Sequence, residues 1–320
     1  MIASMPLRRL GRTELQVSLL GLGTGTRFGD PSRSTPAELV RLVRGALDLG
    51  VNYLDTAPMY LEAESLLGRA LAGVSREEYV LATKVFPMDA AGAVIRPDQL
   101  RESVETSLRR LRVASIDVLQ LHGLRPSWLG PVMDQLGGEL ARLREAGRYR
   151  FLGVAETIVE DPWHEMLPQA VETGWFDQTL VGYNVLSPGA EVAALPSAQQ
   201  IDVGVAAMVV VGPALRDPAV LAQRIRAAQA RGEHGALELD PARALDVLLD
   251  EYSPDPVAAA YRYAASHPAV ATVLSGTLNL THLQANLAAV TAPPFSASQL
   301  SRHRKVFRHL DPCEWIIRHL

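Results

Sequence analysis

Four polar side chains of this 320-residue chain stand where proton chemistry could be done: Asp55, Tyr60, Lys84 and His122. Asp55 closes the run Val51-Asn52-Tyr53-Leu54, Lys84 follows Tyr79–Thr83, His122 follows Ile116–Leu121, and Tyr60 lies five residues beyond Asp55. Each run reads as a strand, so three consecutive strands end on a polar group. Singly, Asp55 would pass as a turn residue, Tyr60 as a rim aromatic and His122 as a core histidine. Together at adjacent strand ends they are hard to assign to packing. Carboxylate, phenol, ammonium and imidazole are the groups of general acid–base catalysis. A lysine so placed could instead attack a carbonyl and form a Schiff base. Lys84 also stands out by type. Of 31 basic residues only Lys84 and Lys305 are lysine, leaving 31 − 2 = 29 arginines. Lysine inside an apolar pattern therefore points to a need for a compact, titratable ammonium, which arginine does not supply.

The elements that must position these groups alternate along the chain. Candidate strands are Leu19–Leu22, Val51–Leu54, Tyr79–Thr83, Ile116–Leu121, Phe151–Val154, Gln178–Gly182, Val203–Val209 and Ala271–Leu274. Their near-continuous apolar character suits strands covered on both faces, as in parallel sheets. Pro36 opens a helical pattern that stops at Gly50, Pro97 opens another through Leu111, and a third runs from about Pro131 to Ala146 before Gly147. Eight strands, each followed by a helical segment, predict an α/β fold of the (β/α)8 TIM-barrel type, with a doubly wound open sheet as runner-up. At a barrel's C-terminal mouth the polar strand ends would converge. Leu7–Leu10 and Leu15–Val17, joined by Gly11-Arg12-Thr13, read as an N-terminal hairpin. Leu215 to Asp255 reads as a helix (Ala219–Ala230) plus an enlarged loop on the C-terminal face. Without a linker or a shift in composition, residues 1–320 are expected to form one domain.

Composition narrows the partners. The chain is 48% apolar and 21% charged, with a formal charge of −4, so a large core is affordable and nucleic acid is not an expected partner. The basic stretch Arg302 to His309 reads as a solvated helix face. No apolar run is long enough to span a bilayer, and the first residues carry no signal-peptide pattern, so a soluble, cytoplasmic protein is expected. The single cysteine, Cys313, excludes an internal disulfide and a cysteine zinc cluster, and no metal site is expected.

Gly21-Leu22-Gly23-Thr24-Gly25-Thr26 invites a dinucleotide fingerprint but lacks the third glycine and the helix that must follow. It reads instead as a loop where backbone, notably Thr24 and Gly25, can approach a ligand. Neither G-x-x-x-x-G-K-[ST] nor G-x-S-x-G occurs.

Gly50-Val51-Asn52-Tyr53-Leu54-Asp55-Thr56-Ala57-Pro58-Met59-Tyr60, followed by Glu64-Ser65-Leu66-Leu67-Gly68-Arg69-Ala70-Leu71, resembles the aldo-keto reductase family. Ala82-Thr83-Lys84-Val85, Ile116 to His122 and Gly147 to Val154 continue the resemblance in order, and it runs from about Leu7 to Val290. It implies a TIM barrel that binds NADP(H) at its mouth and interconverts a carbonyl (aldehyde, ketone or sugar) with an alcohol. Asp55, Tyr60, Lys84 and His122 take the four catalytic positions. Tyr60 would be the proton donor or acceptor, Lys84 would tune it, Asp55 would position Lys84, and His122 would bond the substrate oxygen.

The cofactor positions implied by the resemblance depart from the family's pattern. Ala155-Glu156 stand where Ser-Asn commonly clamps the nicotinamide carboxamide, and a carboxylate there should favour the oxidised cofactor. Gln178, the second carboxamide contact, is kept, and Met208 replaces a stacking aromatic. Gly276 and Thr277 precede a helix that Thr281-x-x-Gln284 would open as a capping box, a phosphate site of the usual kind. Leu278 and His282 occupy the 2′-phosphate positions, so NAD(H) could serve as well as NADP(H), while Asn286 keeps an adenine contact. Phe28, Trp128, Tyr183 and Trp315 are candidate pocket aromatics for a small-molecule substrate. Two rival readings are a Schiff-base lyase using Lys84 and a low-turnover, NADP-binding regulatory subunit. The sequence carries no signal for oligomeric state.

Overall fold

Polar groups at strand ends can converge only if the strands share one axis and direction, and a closed parallel barrel provides both. The computed structural model describes residues 5–25, 28–30 and 32–308. After a short antiparallel pair, β1 (Leu7–Arg9) and β2 (Gln16–Ser18), eight parallel strands follow. They are β3 (Leu20–Gly23), β4 (Tyr53–Asp55), β5 (Val80–Val85), β6 (Ile116–Leu124), β7 (Tyr149–Glu156), β8 (Gln178–Gly182), β9 (Gly204–Met208) and β10 (Val270–Ser275). They pair in chain order, and β10 closes on β3 through Val273 opposite Leu20.

Strand residues alternate between the barrel interior and the helical layer. Val80, Ala82, Val118, Ala155, Leu180, Ala206 and Leu274 form one apolar cluster within the barrel. Hairpin residues Leu10, Leu15 and Val17 join that cluster, so β1–β2 stops the N-terminal end of the barrel. The odd-facing partners, among them Leu54, Leu81, Leu119 and Leu121, belong to a much larger cluster with the surrounding helices. Two buried layers explain why the strands read as continuous apolar runs.

Helices form where the sequence signals them. Thr35 caps Pro36–Asp48 in a capping box with Glu38, and Pro97 opens Pro97–Leu111. The third helix spans Leu129–Glu145, starting two residues earlier than the proline suggests. Between β9 and β10 lie the helices Pro218–Ala230 and Pro256–Ser266, separated by short helical turns and loops. Gly21 and Gly23 belong to β3 and not to a loop: a Cβ at Gly21 would meet Leu274 and Thr272 of β10 and Tyr53 of β4, the two flanking strands. Among the described residues no helix is long and apolar enough to cross a membrane.

Candidate active site

Period-two alternation places Asp55, Lys84 and His122 on the interior side of their strands. On β5 the interior series is Val80, Ala82, Lys84; on β6 it is Val118, Gln120, His122. Each series runs from apolar at the closed end to polar at the mouth. Lys84 pairs in register with Gln120, and Asp55 with Ala82.

Lys84 is wholly buried and fully engaged. Its Nζ donates to Asp55 Oδ2 at 2.6 Å and to the Thr56 carbonyl at 2.8 Å. Gln120 Nε2 reaches Asp55 Oδ1 at 3.4 Å, and the Asp55 carbonyl accepts from both the amide and the hydroxyl of Thr24. Burial works against the ammonium, but Asp55 and then Tyr60 outweigh it and hold Lys84 above the ordinary lysine range. Burial raises the Asp55 carboxyl, with Lys84 opposing. The pair is ionic because each charge would be costly alone in this interior.

Tyr60 sits in the loop after β4, held from below by Gly29, where a Cβ would lie 2.5 Å from the Tyr60 carbonyl. The Lys84 ammonium is 5.1 Å from the Tyr60 ring centroid. Burial raises the phenol pKa, and Lys84 draws it partly back. His122 meets Tyr60 edge to face, with centroids 5.8 Å apart. Burial first, and the Lys84 charge second, lower the imidazole pKa to about 3. At neutral pH the group is thus a protonated phenol and a neutral imidazole over a buried ion pair.

The other sequence-derived residues divide. Gln178 lies inside the barrel; its Nε2 donates to the Thr179 carbonyl at 2.6 Å, and its buried Oε1 has no partner. Gly153 makes room for that amide, since a Cβ there would lie 2.5 Å from Gln178 Oε1. Met208 ends β9 in register with Gly182 and packs against the interior cluster. Asn286 is buried and donates to Ser275 Oγ at 2.9 Å. Gly276 is exposed and Thr277 half-buried, at the end of β10. The following helix is Leu280–Thr291, and its N-cap is Asn279, not Thr281: Asn279 Oδ1 accepts from the Thr281 and His282 amides. Leu278 packs on the core and His282 is exposed.

Three expectations need correction. Glu156 is not free to meet a ligand: its carboxylate is buried, with Oε1 accepting from the Gly182 amide at 2.6 Å and Oε2 lying 2.9 Å from His164 Nδ1. Phe28 is packed in the main core, 1% exposed, rather than lining the mouth. Tyr183 is equally buried, and its hydroxyl donates to Glu191 at 2.5 Å. Trp128, in the turn after β6, is partly buried and meets Phe86 edge to face. Trp315 lies outside the described residues. Gly25 is exposed and faces Tyr60.

Sequence reasoning missed Gln120. It was detectable, because Val118-x-Gln120-x-His122 puts it on the interior face with His122.

Comparison with known proteins agrees with this geometry. Residues 19–308 match the model of the aldo/keto reductase family. The chain is 32% identical over 160 residues to L-galactose dehydrogenase of Arabidopsis thaliana, covering 48% of this chain and 49% of that protein. It is 36% identical over 169 residues to 6-dehydroglucose reductase of Novosphingobium aromaticivorans, covering 46% and 50%. The matched region thus spans about half the length of these curated relatives. An aldo-keto reductase structure from Bacillus halodurans in its holo form superposes with a TM-score of 0.69 at 25% identity, covering 94% of this chain and 96% of that one. The chain belongs to the aldo/keto reductase family.

Proposed function

We propose that the protein is an NAD(P)H-dependent oxidoreductase that interconverts a small carbonyl compound and its alcohol, with Tyr60 moving the proton. The observation that carries this reading is the buried Lys84–Asp55 pair beneath a protonated Tyr60. A carbonyl oxygen lodged between Tyr60 and His122 would meet a phenol O–H and a neutral imidazole N–H. As negative charge grows on that oxygen, Tyr60 gives up its proton and the nearby ammonium stabilises the phenolate. Opposite unit charges about 5 Å apart at an effective dielectric of ~20 attract by roughly 3 kcal/mol, near two decades in the phenol's acidity. Asp55, fixed by Thr24 and Gln120, keeps the ammonium charged and in place.

The residues present fit a nicotinamide dinucleotide. The unpartnered Gln178 Oε1 is an acceptor waiting for a donor such as a carboxamide NH2. Met208 would flank the ring, and Gly276, Thr277 and Asn286 would hold the adenosine end of NADP(H), with NAD(H) also possible because Leu278 and His282 stand at the 2′-phosphate positions. When bound, the nicotinamide supplies or takes the hydride.

A Schiff-base lyase requires a neutral, accessible amine. Lys84 is buried, doubly bonded and held charged. Its ordering favours a positioning role over nucleophilic attack. The assembled tetrad likewise favours turnover over a purely regulatory subunit. The test pairs two assays on one carbonyl panel. The reductase reading expects NADPH oxidation with alcohol formed in equal amount, and no borohydride-trapped adduct at Lys84. A trapped adduct without cofactor oxidation would refute it.

A further inference from the structure

The tetrad rests on a second polar tier that no proton step uses. Tyr53, two residues before Asp55 on β4, and Gln120, two before His122 on β6, face the barrel interior and are fully buried. Glycines on neighbouring strands make their seats. A Cβ at Gly21 of β3 would lie 3.2 Å from Tyr53 Cδ1, and one at Gly153 of β7 2.9 Å from Gln120 Cγ. Gln120 stands in register with Lys84 on one side and Gly153 on the other. Among the described residues, the side chains that reach the Asp55 carboxylate are Lys84 at Oδ2 and Gln120 at Oδ1. Burial first and Asp55 second raise the Tyr53 pKa, and the Gln120 amide beside the hydroxyl opposes them. Neither the Tyr53 hydroxyl nor Gln120 Oε1 has a hydrogen-bond partner among the described residues.

A buried phenol O–H and a buried amide oxygen side by side are the natural donor and acceptor for each other. With its oxygen held by Tyr53, the Gln120 amide plane is fixed and Nε2 is turned towards Asp55 Oδ1. That last contact is long, 3.4 Å, so Asp55 depends on how the amide is held. Asp55 in turn decides the charge on Lys84. Burial alone would discharge the ammonium, and Asp55, then Tyr60, are the groups that oppose it. His122 also lies within the field of the ammonium. Asp117 acts on Tyr53 from the outer face of β6, where Arg76 and Arg150 hold it. Phenylalanine and methionine would fill the two seats as well if they served packing alone.

We propose that Tyr53 and Gln120 are positioning residues for the tetrad: the Tyr53 hydroxyl orients the Gln120 amide, which orients Asp55 and so keeps Lys84 charged beneath Tyr60. The inference deepens the Tyr60 reading above and rests on it for its catalytic consequence. Lys84 and Lys305 are the chain's two lysines, so lysine carrying carbon-13 at Cε reports Lys84 beside one internal reference. Tyr53→Phe, Gln120→Met and the double variant are compared with wild type in the free protein. The Lys84 titration midpoint should fall by about 0.5 pH unit or more in Gln120→Met, roughly threefold in acid constant, and in the same direction in Tyr53→Phe. The double variant should match Gln120→Met, because both substitutions break one chain. In turnover, kcat should fall in both single variants, and the pH midpoint assigned to Tyr60 should rise as the ammonium weakens. If no carbonyl is reduced while the Lys84 midpoint still depends on Gln120 and Tyr53, the reductase reading fails and the positioning chain stands. A Lys84 signal that titrates alike in wild type and both single variants, or shifts that add in the double variant, would overturn the proposal even where Tm falls.

Discussion

Gly25 faces the phenol of Tyr60 so closely that a Cβ would stand 3.2 Å from Tyr60 Cζ and 3.4 Å from its hydroxyl oxygen. The turn after β3 therefore sets how far Tyr60 can lean, and with it the distance from phenol to bound carbonyl. A methyl at this position must push the ring by a few tenths of an ångström, and a branched side chain by more. Misplacement of a proton donor by about 1 Å can cost on the order of 10²-fold. We expect Gly25→Ala to lower kcat several-fold and Gly25→Val by 10-fold or more, with Tm nearly unchanged because residue 25 is exposed. A Gly25→Val enzyme with wild-type kcat would show that Tyr60 is not positioned from this side.

His122 should stay neutral through the working pH range. Its pKa is lowered to about 3 by burial, with Lys84 adding to the effect. Protonation therefore begins only well below pH 5, and the imidazole can donate one N–H without carrying charge. Its ring proton resonances should not titrate between pH 5 and 8. A His122 titration midpoint near 6.5 would mean that the imidazole is solvated and outside the tetrad's field.

Glu191 fastens the loop after β8 to the helix Ala297–Phe307. Its carboxylate accepts from Tyr183 at 2.5 Å, Tyr263 at 2.6 Å, Arg304 at 2.6 Å and Arg308 at 3.1 Å. Burial alone would raise its pKa, but the Arg304 and tyrosine bonds prevail and bring it from 4.5 to about 2. Because the folded value lies below the unfolded one, this stabilisation is fully present above pH ~4.5 and fades as pH falls towards ~2. It amounts to roughly 3 kcal/mol at 1.36 kcal/mol per unit. Denaturant unfolding should show Glu191→Gln less stable than wild type by about that amount at pH 7, with the gap closing below pH 3. A gap independent of pH would deny the ionised carboxylate its role.

Cofactor choice should be loose. Leu278 is packed on the core and His282 is exposed, so neither presents a permanent charge to a 2′-phosphate. We expect NADPH to be preferred over NADH by less than ~100-fold, or about 2.7 kcal/mol, and Leu278→Arg to raise that preference. Dissociation constants for both cofactors, measured by fluorescence titration, check this. A wild-type preference above ~1,000-fold would require a basic residue elsewhere at the site.

Much of this architecture can be read from the chain because strands buried on two faces leave a continuous apolar signal. Where such a signal breaks at Asp55, Lys84 and His122, the break itself marks the mouth. Prolines at the helix starts made Pro36–Asp48 and Pro97–Leu111 equally legible. Aromatic residues were not: Phe28 and Tyr183 suit a core and a pocket alike, and only tertiary packing assigns them to the core. Glu156 was expected at a ligand because the resemblance aligns it with a carboxamide clamp; its actual partners, His164 across a turn and the Gly182 amide from another strand, have no local signature. Asn279, rather than Thr281, caps the helix because the helix already begins at Leu280, so the free first-turn amides are those of Thr281 and His282, within reach of the Asn279 side chain.

The most direct test of Tyr60 as the proton carrier is Tyr60→Phe, which deletes one hydroxyl and keeps the ring against His122 and Lys84. Turnover with NADPH and a reducible aldehyde is measured beside the NADPH dissociation constant. General acid–base catalysis contributes ~10²–10⁴-fold, so kcat should fall by that factor while cofactor affinity stays within about twofold. A variant that turns over within about threefold of wild type would contradict the account.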